Sequence, residues 1–170
     1  MKIVILLILL LSNISYASEL SDEILKIAPK YTGFKESYGP NQGPEVNKIL
    51  KAAGLPPGQP WCMALVYSIN LEASNNIHKA NPVLRTGASY MYYKYALKNP
   101  FRYKVISPME VMLGTELKPG DTVIHQRGKI RKDGSFPGHA AVVIKQINEQ
   151  SYMSLEGNTF ISTNGGDQGE

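Results

Sequence analysis

From Trp61 to Ala73 the chain runs Trp-Cys-Met-Ala-Leu-Val-Tyr-Ser-Ile-Asn-Leu-Glu-Ala, without Pro or Gly, and is apolar on nearly all sides of a helical projection. A helix of that composition is stable only when neighbours cover it all round, so the remaining elements must be built around it. The approach, Leu55-Pro56-Pro57-Gly58-Gln59-Pro60, is a turn that no helix can cross, which puts Cys62 in the first helical turn. Upstream, Gly43-Pro44-Glu45 opens another helix with Pro at its first position. Val46, Ile49, Leu50 and Ala53 form its apolar stripe, and Gly54 supplies a left-handed stop. Ser21-Asp22-Glu23 caps a shorter helix that Pro29 should end. A further helix is expected from Ala88 to Leu97, capped by Thr86 or Ser89 and closed before Asn99-Pro100.

From about Tyr103 the pattern changes to short β runs: Asp121 to His125, His139 to Ile144, and Ser151 to Leu155. Helices first and strands after predict an α+β fold, with the central helix packed on a small antiparallel sheet. The segment Arg127 to Ser135, with its Gly and basic residues, reads as a solvated hairpin loop. The cluster Tyr90-Met91-Tyr92-Tyr93-Lys94-Tyr95 reads as packing rather than as a groove wall.

The N-terminus carries a different signal. Lys2 precedes an unbroken apolar run from Ile3 to Leu11, and Ser15-Tyr16-Ala17 ends in small residues, the pattern of a secretory signal peptide over residues 1–17. The run falls short of the roughly 20 residues that span a bilayer, so the expected destination is the periplasm or the outside of the cell, with no membrane span. Residues 18–170 then form one domain. Removing Lys2 lowers the net charge from +4 to +3, and no dense basic run or aromatic-basic stripe points to nucleic acid. The single Cys cannot form an internal disulfide, which leaves an inert buried thiol, an intermolecular bridge or a reactive nucleophile.

A thiol at a helix N-terminus feels the positive end of the helix dipole and unpaired backbone N–H groups, both of which favour thiolate. The partner that can exchange a proton near neutral pH is His. Of the three, His78 sits in a polar connection and His125 ends a strand, whereas Gly138 allows close approach beside His139, which opens the buried-looking run Ala140 to Ile144. A two-residue turn at Asn148-Glu149 pairs Ile147 with Gln150, sets His139 opposite Asn158, and turns Glu156 and Asn158 toward the ring. The Cys62 backbone N–H and the Gln59 side chain are candidate donors to a developing oxyanion. The sequence offers no metal-binding run of the His-Glu-x-x-His kind and no phosphate loop, so neither a metal nor a cofactor is expected.

Pro60-Trp61-Cys62, Lys118-Pro119-Gly120-Asp121, Gly138-His139-Ala140-Ala141-Val142-Val143 and Leu155-Glu156-Gly157-Asn158-Thr159 together resemble the CHAP family of cysteine, histidine-dependent amidohydrolases and peptidases, within the papain-like group that includes NlpC-type wall peptidases. The resemblance covers about residues 43–159. It implies a papain-like core with Cys62 as nucleophile, His139 as base, and Glu156 or Asn158 orienting the imidazole. It also implies cleavage of peptidoglycan at the muramoyl-L-alanine amide or within the stem peptide or cross-bridge. Two features depart from the family pattern: the chain ends in a polar stretch where relatives continue into a further strand, and no wall-binding repeat accompanies the domain. Two other functions fit the same motifs. One is an inactive module that binds wall peptides; the other is an antibacterial toxin with the same chemistry, whose partner would be an immunity or inhibitor protein.

Overall fold

The computed structural model describes residues 17–148 and 151–159, so the segment read as a signal peptide lies, but for Ala17, outside the described residues. Helix α1 occupies residues 17–27 and passes directly into a 3-10 turn, Ala28–Tyr31. Pro29 therefore does not end the helical path. It stands in the first turn of the 3-10 segment, where its missing N–H costs nothing. Helix α2 (Pro44–Ala52) has Pro at its start, buries Val46, Ile49 and Leu50, and is followed by Gly54 at φ 77°, as its sequence dictates. Helix α3 (Cys62–Asn76) is the expected central helix, with ten buried residues that include Met63, Val66 and Ile69. It ends near His78, which is exposed and left-handed at φ 54°.

Helix α4 (Ser89–Lys98) differs from expectation at its start. Ala88 is the N-cap and no side chain caps the helix; the Thr86 hydroxyl instead accepts from the Ala88 N–H, in the loop before the first turn. The tyrosines of α4 pack: Tyr92 and Tyr95 meet Tyr103 edge-on at 6.0 and 5.8 Å, and Tyr90 and Tyr93 meet Phe136 at 6.2 and 6.0 Å. A short helix not anticipated from the sequence, α5 (Pro108–Met112), is held by a capping box in which Ser107 and Glu110 satisfy each other's backbone N–H.

Strands β1 (Thr122–Gln126), β2 (Gly138–Asn148) and β3 (Ser151–Glu156) form an antiparallel sheet in the order β1-β2-β3, so the fold is mixed α+β. Between β1 and β2 the chain from Arg127 to Gly134 is exposed, as a solvated loop should be. The hairpin between β2 and β3 closes one residue later than the expected turn, with Asn148 opposite Ser151. Register shifts between Val143 and Lys145 and between Gln146 and Asn148 then absorb extra residues of β2, so Ala141 meets Glu156. This is the pairing that the earlier turn would have produced, because each bulge sets two residues against one.

The core lies between the helices and one face of this sheet. Ile24, Ile27, Val46, Ile49, Leu50, Met63, Leu65, Val66 and Ile69 pack with Ala140 and Val142, each at most 2% exposed. The turn that feeds β1 is tied to α1, since the Ser21 hydroxyl donates to the Pro119 carbonyl and Gly120 donates to Val143. Among the described residues no helix is long and apolar enough to cross a membrane.

Candidate active site

Cys62 is the first residue of α3, and Trp61, its N-cap, starts the helical ladder by accepting from the Leu65 N–H at 2.8 Å. The Trp61 indole N–H donates to Glu36 at 2.8 Å, and the other oxygen of that carboxylate accepts from the Asn41 backbone at 2.7 Å. The ring also lies against the far end of the sheet: a Cβ on Gly157 would stand 2.4 Å from the Trp61 ring and 2.9 Å from Leu65. Glycine at that position therefore lets β3 approach the start of the nucleophile-bearing helix. Glu36 and Trp61 carry no signature in the sequence beyond residue type, and only the folded chain reveals their pairing.

His139 occupies the second position of β2, and Gly138 before it is as constrained as Gly157: an added Cβ would lie 2.4 Å from the Ser89 hydroxyl. Cys62 and His139 are 5% and 2% exposed, and their side chains are hydrogen-bonded. The His139 Nε2 meets a Glu156 oxygen at 2.9 Å, which leaves Nδ1 as the ring nitrogen available to the thiol. The second Glu156 oxygen accepts from the Ser154 hydroxyl at 2.7 Å. Ser154 stands two residues before Glu156, on the same side of β3, a spacing that would have marked it in the sequence.

The charges follow from this geometry. Burial opposes ionisation of Cys62, yet the bond to His139, its charge, and the backbone N–H groups of Ala140 and Met63 outweigh that cost and hold the thiol below its usual range. Burial likewise disfavours imidazolium, but Cys62 and Glu156 together raise His139 to about 9. The bond from His139, assisted by Ser154, lowers Glu156 to about 2 against a smaller opposing effect of burial. Near neutral pH the three groups therefore favour thiolate, imidazolium and carboxylate in series.

The remaining residues marked in the sequence lie elsewhere. Asn158 follows the end of β3 at φ 62°, a left-handed conformation that Asn tolerates, and the β2–β3 pairing stops at Ala141 and Glu156 before reaching it. It is not the cross-strand partner of His139 that the extended register suggested. Gln59 is exposed in the bend before α3. Two side chains that the sequence did not single out adjoin the site: His125 lies directly opposite His139 on β1, with ring centroids 6.3 Å apart, and Tyr152 of β3 reaches its Nε2 at 3.0 Å. Among the described residues no group of three or more His, Cys, Asp and Glu side chains is placed to hold a metal ion. Compared with protein-family models, curated proteins and solved structures, the chain shows no significant match.

Proposed function

We propose that this protein is a cysteine amidase or peptidase with a papain-like core, exported to act on an amide bond of the cell-wall peptide. The observation that carries the reading is the series Cys62, His139 and Glu156, in which a helix-terminal thiol is bonded to an imidazole held at 2.9 Å by a carboxylate. The wall peptide as substrate rests on the four CHAP-like motifs. In the reaction, the Cys62 thiolate attacks the scissile carbonyl carbon, forming a C–S bond and an oxyanion that backbone N–H groups at the start of α3 can receive. Imidazolium His139 then gives its proton to the leaving amine as the C–N bond breaks. Neutral His139 next takes a proton from water, the hydroxide attacks the thioester, and the thiolate departs. Glu156 remains ionised throughout and stabilises the imidazolium.

The test is digestion of purified peptidoglycan with mass analysis of the released fragments. The wild-type protein is expected to open one class of amide, which the new termini identify, and Cys62→Ala is expected to release nothing above background while retaining its circular dichroism. Equal release by the variant would overturn the thiol mechanism. Binding of the polymer by both proteins with release by neither would assign a binding module instead.

A further inference from the structure

His125 and Tyr152 lie two strands apart, on β1 and β3, yet the Tyr152 hydroxyl is 3.0 Å from the His125 Nε2. His125 pairs with His139 and Tyr152 with Gln146. On a flat sheet those rows would be roughly 20 Å apart along the strands, farther than two side chains can bridge. The two bulges that separate Tyr152 from Glu156 account for the approach, because bulges bend a strand and sharpen its twist. The hairpin thus curls back over β1. Ala141 and Val143, on the sheet side shared by His125 and Glu156, are fully buried although they stand outside the main helical core, as a curled hairpin would leave them.

We propose that His125 and Tyr152 are positioning residues whose bond clasps the curled hairpin to β1 and so keeps the Glu156 carboxylate aimed at His139. Glu156 sits on β3 between Tyr152 and the strand end, so a hairpin released from β1 is free to carry the carboxylate away from the ring. The groups that face this pair are few and named. His139 is approached by Cys62 from α3, Glu156 from β3, His125 from β1 and Arg127 just beyond β1. Glu156 is approached by both imidazoles, Ser154 and Tyr152. The inference rests on the thiolate and imidazolium reading of the site, and one experiment separates the failure of each.

The experiment is titration of the imidazole nitrogens by NMR in the full chain. With three histidines in the sequence, single substitutions assign each signal. In the wild-type protein His139 is expected to stay protonated until about pH 9. In Tyr152→Phe, which keeps the ring and removes the hydroxyl, its midpoint is expected to fall by about half a unit to one unit, the worth of one weakened hydrogen bond. His125→Gln should produce a similar fall, and the double variant little more than either alone. A wild-type midpoint near 9 that neither variant moves, whatever happens to thermal stability, overturns the clasp and leaves the catalytic reading standing. A wild-type midpoint in the ordinary imidazole range overturns both. Should His125→Gln fail to fold, Tyr152→Phe alone decides, since it removes a single oxygen at a half-buried position.

Discussion

Glu156 is the residue on which the ionisation of the site turns. Its carboxylate, lowered to about 2 in the fold, is stabilised relative to an unfolded chain in which it titrates near 4.5. That contribution is fully present above about pH 4.5 and is lost as pH falls toward 2. His139 has the opposite sign: raised from 6.5 to about 9, it contributes fully below 6.5, and the contribution is lost as pH rises through 9. Thermal melts should therefore show stability falling on both flanks, and Glu156→Gln should flatten the acid flank. In the same variant the alkaline limb of kcat/KM, set by loss of imidazolium, should move below pH 9, with activity at neutral pH down by at least about tenfold per unit of lost pKa elevation. An unmoved limb in Glu156→Gln would remove the carboxylate from the proton inventory of the reaction. Cys62, His139 and Glu156 were all legible in the sequence, because each stands at a position where periodicity or a neighbouring glycine restricts its role. Tyr152 and Glu36 were not, because their partners are brought to them only by a bent hairpin and a loop.

Among the elements, those that bear a periodic signal were legible and those that depend on irregularity were not. Helices α2 and α3 follow from an apolar stripe and an all-apolar run bounded by Pro and Gly, and the three strands follow from β-branched runs between turns. The hairpin shows the limit. Its turn falls one residue later than the local sequence suggested, and two bulges, which leave no compositional mark, restore the pairing near the site. The start of α4 was likewise misjudged, since Thr86 spends its hydroxyl on the loop before the helix. A prediction at this scale concerns the contact between β3 and α3. Gly157→Ala places a methyl 2.4 Å from the Trp61 ring, so either the strand or the helix start must shift. The expected cost is about 1–3 kcal/mol, measured by urea denaturation, accompanied by a fall in activity. A fully stable and active Gly157→Ala protein would mean that the two elements tolerate separation.

For the molecule as a whole, stability resides in the helical core and its sheet rather than in surface pairs. Ile69, fully buried at the centre of α3, should cost about 2–5 kcal/mol when truncated to Ala, whereas Lys30→Ala should cost under about 1 kcal/mol. The difference is expected because the Lys30–Glu72 pair, although only 2.6 Å long, leaves its side chains 59% and 35% exposed. Denaturant midpoints of the two variants provide the comparison, and similar losses would reverse the ranking. The α+β class was visible in the order of helical and strand patterns, but the closeness of residues 36, 61 and 157 was not, since it joins three separate parts of the chain. That junction also makes the protein optically convenient. Trp61 is the single tryptophan, its indole nitrogen is bonded to Glu36, and its ring rests on Gly157 beside the thiol. Its fluorescence, excited where tyrosine does not absorb, therefore comes wholly from the immediate surroundings of Cys62, and its emission colour and quenching can follow occupation of the site without any attached dye.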